Sequence, residues 1–307
     1  MAASILGAAS RGVARTCRVA AAHYLRSSRV IQAGRAFYKL TGSGNDFVFI
    51  DVRSQPPGAL EDTQTIRAVC ARGSGVGADG IVFLRDGVDQ AAVAIRYLNS
   101  DGSIAALCGN ATLCAARLAA ELRMVERDQE FAIATDSGIV AARFRDGLPE
   151  IDLQPVDGVE EAFDAEAAEG ELRVGFALVG VPHLVVLCRD VDSAPIVDRG
   201  RLLRHHPELR HGANVNFVSC RDGRWRIRTY ERGVEAETLA CGTGAVATAI
   251  LLSAWDQAGP SVELETRSGR GLRVRHHVEG SRHFSSLAGE ARVVFVGQLA
   301  ELASTAT

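Results

Sequence analysis

Asn99-Ser-Asp-Gly-Ser-Ile-Ala-Ala-Leu-Cys108-Gly-Asn-Ala-Thr-Leu113 and Glu237-Thr-Leu-Ala-Cys241-Gly-Thr-Gly-Ala-Val246 follow one pattern. In each, a cysteine followed by glycine opens an Ala/Leu-rich stretch that reads as a helix. The two cysteines stand 133 residues apart, which divides the chain into two related halves with one thiol each. Working outward, each half repeats the same punctuation. In the first, residues 37–51 read as strand, glycine turn, strand. A short helix over 63–71 follows, then a glycine-rich loop, strands at 81–84 and 93–98, the cysteine helix to about 123, and strands near 131–145 and 149–154. The acidic stretch 156–171 reads as a linker. Strands over 172–188, a helical piece near 198–206, strands over 214–230, the second cysteine helix from 242 to about 256 and hairpins over 261–298 complete the second round. Many strands with one long helix per half predict an α+β protein on a duplicated plan.

At 307 residues the chain is long enough for two domains. Apolar residues make up 47% and charged residues 23%, an ordinary globular composition without a run of the roughly 20 apolar residues that cross a bilayer. The net charge of −3 gives no global reason to expect nucleic acid. Residues 1–36 differ from the rest, with six Arg and no Asp or Glu. They read as a disordered or targeting extension outside the fold. Seven cysteines without a framework suggest reduced thiols. No Cys-x-x-Cys occurs and the histidines are not grouped with carboxylates, so no metal site is expected.

A lone cysteine before a helix is usually a small buried hydrophobe. Two in matching contexts point to chemistry. Free N–H groups at a helix start bind an anion such as a carboxylate and favour the thiolate. Glycine lets the backbone approach closely. Two thiols facing one carbon can take a proton from one side and deliver another to the opposite side, which is racemase or epimerase chemistry. A thiol near its ordinary value, lowered by the helix terminus, suits proton transfer at neutral pH.

Other motifs carry less. Gly75-x-Gly77-x-x-Gly80 has the spacing of a dinucleotide loop, but a helix precedes it and a strand follows, the reverse of what that loop needs. His183 reads as a turn or packing residue, with a Cys–His hydrolase as the enzymatic alternative. Cys70, Cys188 and Cys220 read as core residues, and Cys114 points away from Cys108. Glu231-Arg232 at a strand end, with Asn45, Asn99 and Asn214 in turns, suits a polar zwitterionic substrate.

Eight motifs in order carry a resemblance: Gly42-Ser-Gly-Asn45-Asp-Phe, Gly75-Val-Gly-Ala-Asp-Gly80, Asn99-Ser-Asp-Gly-Ser, Cys108-Gly-Asn110, Gly180-Val-Pro-His183, Asn214-Val-Asn-Phe, Tyr230-Glu231-Arg232-Gly and Ala240-Cys241-Gly-Thr-Gly. Over roughly residues 37–298 the chain resembles the diaminopimelate epimerase family. The resemblance implies two pseudo-symmetric domains, each a mixed β-sheet wrapped around a central helix. It assigns residues 37–152 plus about 292–307 to the N-terminal half and 153–291 to the C-terminal half. It implies cofactor-independent conversion of LL-2,6-diaminopimelate to the meso form, in lysine and peptidoglycan-precursor synthesis. Cys108 and Cys241 would be the acid/base pair. Asn45, Asn99, Asn214, Glu231 and Arg232 would contact substrate, and Gly109, Asn110, Gly242 and Thr243 would line the helix starts that hold the reacting carboxylate. The chain departs from the commonest pattern at Val181, where many members have Asn, at Ala111 for Gly, and by one extra residue between Glu231 and Cys241. The partner expected is a small-molecule amino acid, without nucleic acid or membrane, and a homodimer is left open. No cofactor is expected. The bacterial cytoplasm is the expected location, with a plastid as alternative if residues 1–36 are a transit peptide. A related proline or hydroxyproline racemase and a catalytically silent amino-acid-binding protein are the competing readings.

Overall fold

The computed structural model describes residues 34–104 and 108–300. Most of the 1–36 extension and the last seven residues of the expected N-terminal half therefore lie outside the described residues. The first half contains β1 (Ala36–Gly42), β2 (Asn45–Asp51), a helix Thr63–Cys70, β3 (Gly80–Asp86), β4 (Val93–Asn99), a helix Gly109–Glu121, β5 (Phe131–Thr135), β6 (Gly138–Arg145) and β7 (Leu148–Asp152). The second contains β8 (Val159–Glu160), β9 (Glu171–Val179), β10 (Val181–Cys188), a helix Ile196–Arg204, β11 (Asn214–Arg221), β12 (Arg224–Glu231), β13 (Ala236–Thr238), a helix Gly242–Ala254, β14 (Ser261–Glu265), β15 (Gly271–Glu279) and β16 (Arg282–Gly289), before β17 (Ala291–Gln298).

Strand pairing makes the duplication explicit. From β1 to β7 the neighbours pair antiparallel, parallel, antiparallel, parallel, antiparallel, antiparallel. The same series runs β9, β10, β11, β12, β14, β15, β16. Each half carries one further antiparallel strand at its outer edge, β17 on β1 and β8 on β9. The inner edges join through β7 and β16. The last strand of the chain thus returns to the first half.

Two short strands escape sequence patterning. The acidic stretch read as a linker contains β8, and β13 interrupts the approach to the second cysteine helix. Both are too short to show a period of two. Ala36 already pairs with Gln298, and the Arg35 carbonyl accepts from Leu299 N–H at 2.8 Å, so the fold starts inside the stretch expected to lie outside it.

The helices Gly109–Glu121 and Gly242–Ala254, hereafter the first and second core helices, are each buried at ten of thirteen positions. A helix buried on nearly every side belongs at the centre of a fold rather than on its surface. Their Ala, Val and Leu side chains pack with both sheets in one continuous core. The halves are also joined by charge. Glu150, 1% exposed on β7, accepts from Arg143 (2.7 Å) and Arg145 (3.2 Å) of its own half and pairs with Arg275 of the other.

Candidate active site

The functional candidates cluster at one end of each sheet because of the repeated topology. The starts of strands two and three and the end of strand four lie side by side: Phe47 pairs with Gly80, and Gly80 with Asn99. In the second half, His183 pairs with Asn214, and Val215 with Tyr230 beside Glu231. Each cysteine helix starts after the fourth strand of its half.

Cys108 and Cys241 are the N-caps of the two core helices, in extended backbone with φ −124° and −137°. The helix starts meet. A Cβ added at Gly242 would lie 2.9 Å from Leu287 Cδ2, 3.7 Å from Asn110 Oδ1 and 3.8 Å from Gly109 Cα; one added at Gly109 would lie 3.0 Å from the same Leu287 methyl. Glycine at both positions is what allows this approach. Thr243 Oγ1 lies 3.6 Å from Cys241 Sγ.

The electrostatics differ from the sequence expectation. Burial pushes both thiols up to about 12, against an ordinary value of 9.0. At Cys108 the N–H groups of Ala111 and Asn110 oppose that rise, as a helix start should, but Glu231 adds to it. At Cys241 Glu231 and Cys108 add, while Thr243 and Gly244 oppose. Desolvation outweighs the helix terminus, so both sulfurs are held as neutral thiols. The Glu231 carboxylate thus opposes ionisation of both thiols, and Cys108 opposes that of Cys241. Glu231 is itself raised, first by burial.

The amides form connected pairs. Asn45 Nδ2 donates to Asp79 Oδ2 at 3.0 Å, and Asn110 Nδ2 donates to Asn45 Oδ1 at 2.6 Å. Asn99 donates to Ser103 Oγ at 3.0 Å, which closes the Asp101-Gly102 turn. Asn214 Oδ1 accepts from the backbone N–H of Arg232 at 2.8 Å, and the Arg232 guanidinium reaches the His211 carbonyl at 3.3 Å. Hence Asn45, Asn110, Gly109, Gly242, Thr243 and the two cysteines come together around the helix starts. Asn99, Asn214, Glu231 and Arg232 lie at the strand ends beside them.

Three residues outside the expected set belong to this neighbourhood. Asp79 anchors Asn45. His183 sits on β10 rather than in a turn and is fully buried. Its Nδ1 lies 3.1 Å from Asn216 Nδ2 while its Nε2 has no partner among the described residues. Burial holds its imidazole neutral, down to about 3. Asn216 also donates to the Leu184 carbonyl (3.0 Å) and accepts from Thr229 (3.0 Å). The sequence signal for Asn216 was its spacing of two from Asn214 on an otherwise apolar strand. Among the remaining thiols of the described residues, Cys70, Cys114 and Cys188 are buried, but Cys220 is exposed rather than in the core, because it lies one residue from the end of β11, next to the Asp222-Gly223 turn.

No helix among the described residues is long and apolar enough to cross a membrane. Solved structures share the architecture. A PhzF-family phenazine biosynthesis protein from Bacillus anthracis superimposes with TM-score 0.65 at 15% identity, covering 87% of this chain and 99% of that one. A hydroxyproline epimerase from Agrobacterium vitis, with bound trans-4-hydroxy-L-proline, gives TM-score 0.64 at 21% identity, over 88% and 94%. The fold is therefore that of the two-half proteins which include amino-acid epimerases. Sequence comparison narrows it. The diaminopimelate epimerase family model matches residues 37–153 and 175–294. The diaminopimelate epimerase of Gemmatimonas aurantiaca is 45% identical over 87% of this chain and 100% of its own, and that of Aquifex aeolicus is 37% identical over 86% and 98%. The chain belongs to the diaminopimelate epimerase family and is an isomerase.

Proposed function

We propose that the protein interconverts LL- and meso-2,6-diaminopimelate by moving one α-proton between two cysteines. The observation that carries this reading is the meeting of the two core-helix starts, Gly109 against Gly242 across Leu287, each preceded by a cysteine. An α-carboxylate between those starts is received by free N–H groups from both helices. Its Cα then lies between Cys108 and Cys241, and one sulfur removes the proton while the other returns one to the opposite side. Charge that develops on the carboxylate as Cα–H breaks meets donors already oriented.

The high thiol values have a mechanistic use. A sulfur held near 12 in the dry site is a strong base once ionised. The protonated amine of the substrate supplies the opposite charge that favours one thiolate, and Glu231, whose charge opposes ionisation of both thiols, accepts from that amine. The two thiols titrate as a pair rather than singly. Arg232 and Asn214, tied together at 2.8 Å, are placed to recognise the second amino-acid end.

The test is LL-diaminopimelate in D₂O with reduced protein and no added cofactor. Deuterium at Cα with appearance of the meso isomer is expected, and Cys108→Ala or Cys241→Ala each lower the rate by about a hundredfold or more. Exchange on proline or hydroxyproline but not on diaminopimelate assigns the protein to the alternative racemase reading. Ligand binding without exchange on any of them assigns it to the binding-protein reading.

A further inference from the structure

Asp79 has so far only its bond to Asn45, yet three donors converge on it. Its Oδ2 accepts from Asn45 Nδ2 (3.0 Å) and from the Asp46 backbone N–H (3.1 Å), and its Oδ1 accepts from Arg72 Nη2 (2.6 Å). Its own backbone is fixed as well, since its N–H donates to the Asp46 carbonyl (2.8 Å) and its carbonyl accepts from Ser100 N–H (3.0 Å). An ionised carboxylate only accepts. Asn45 must therefore turn its NH₂ toward Asp79, which leaves its oxygen facing Asn110. That oxygen in turn demands the NH₂ of Asn110, donated at 2.6 Å. The order of donors and acceptors, set at Asp79, passes through two amides.

The last atom in the series is Asn110 Oδ1. Asn110 is 2% exposed and this oxygen has no partner among the described residues. It lies on the side of the second core helix, 3.7 Å from where a Cβ of residue 242 would stand. A buried acceptor left unpaired is unfavourable, and it persists here because turning the amide over would set two oxygens against each other at Asn45. The second half has no such device. The position before its third strand is Ala213, where the first half has Asp79.

We infer that Asp79 is a positioning residue: through Asn45 it turns Asn110 so that an amide oxygen faces the space between the helix starts and accepts from the protonated amine of a zwitterionic substrate. The inference rests on the epimerase reading above, since it is there that an amine and a carboxylate share one carbon. It divides the work at the helix starts. Backbone N–H groups take the carboxylate, and the amide oxygen, with Glu231, takes the ammonium.

Asp79→Asn replaces an obligate acceptor with a group that serves either way and frees both amides to turn. With LL-diaminopimelate, KM is expected to rise roughly tenfold, the equivalent of one buried hydrogen bond, while thermal unfolding stays within a few degrees of wild type. The exchanged pair Asn45→Asp/Asp79→Asn restores the order at Asn110, because the new amide at 79 donates to the new carboxylate at 45, which still demands the NH₂ of Asn110; the Asp46 N–H loses its acceptor, a loss read in stability rather than in the orientation of Asn110. KM is expected to return to within about threefold of wild type. An unchanged KM in the single variant, or a folded exchanged pair no better than the single variant, overturns the inference while leaving the epimerase reading intact. If the single variant does not fold, the exchanged pair decides alone. Wild-type protein that exchanges no α-proton of diaminopimelate overturns both.

Discussion

The hydroxyl of Ser268, in the second half, donates to the carbonyl oxygen of Ser43, in the first, at 2.7 Å. The two turns that meet there are otherwise distant in sequence. Ser43 holds a left-handed backbone with φ +51°, and Gly44 follows at φ +114°. A Cβ at Gly44 would lie 2.7 Å from Ser268 Cβ and 3.0 Å from Leu239 Cβ, so glycine is required for the turns to meet. Ser268 N–H also donates to Leu239 O at 3.1 Å, two residues before Cys241. The contact ties Asn45 on one side to the second cysteine on the other.

Ser268→Ala is expected to lower stability by about 1 kcal/mol and to raise KM with little change in the denaturant slope. Urea unfolding and steady-state kinetics check this. A variant identical to wild type in both would show that the turns meet without holding the halves.

Gly244→Ala is expected to destabilise by about 1–3 kcal/mol through overpacking. The added carbon would stand 2.2 Å from Asn216 Oδ1, in a network tied to His183 and Thr229 that has no room to retreat. Thermal unfolding of the variant measures it. Gly223→Ala is the contrast, where space is open and only the φ of +74° opposes.

Glu150→Ala leaves Arg143 and Arg275, from opposite halves, without the carboxylate they share. Removing one member of a buried charged group typically destabilises by about 3 kcal/mol or more. Calorimetry of the variant is expected to show a lower and broader transition. A shift of less than a degree would mean that Asp152 and Asp146, which also pair with these arginines, take over its role.

Stability should be greatest between about pH 6.5 and 9. His183 is held neutral down to about 3, against an ordinary 6.5. Below 6.5 the unfolded chain binds a proton that the folded one refuses, and stability falls with added acid by about 1.4 kcal/mol per pH unit from this residue. His276 and His283 are lowered by burial and act in the same direction. On the alkaline side, Cys108 and Cys241 stay protonated up to about 12 while the unfolded thiols ionise near 9.0, so stability falls as pH rises through that window. A melting-temperature profile that rises on acidification from 6.5 would contradict the assignment.

Iodoacetamide at pH 7.5 is expected to label exposed Cys220 before Cys108 or Cys241, since the reactive species is the thiolate and burial suppresses it at both candidate catalytic sulfurs. Mass spectrometry of tryptic peptides over time reads the order directly.

The duplicated plan was legible because it lies in local features: two Cys-Gly pairs, each opening an Ala/Leu-rich helix, and glycine turns at repeated intervals. What stayed hidden depends on partners far along the chain. Asp79 sits in a glycine loop whose spacing drew the eye to its glycines, and its importance comes from Asn45, 34 residues away. His183 follows a proline, which left a turn and a packing role both open; β10 continues through it and packs the ring, buried, against Asn216. The thiol values went the other way from expectation because a helix start is visible in a sequence, whereas the dryness of the space around it is not.

β17 occupies residues Ala291–Gln298 and completes the sheet of the first half by pairing with β1. During synthesis on a ribosome, both halves through β17 must emerge before that sheet can acquire its outermost member. Nascent chains stalled anywhere before residue 291 carry an unprotected edge at Ala36–Gly42, a natural point for chaperone engagement. A message truncated before residue 291 thus yields a product with its defect some 250 residues earlier, at β1.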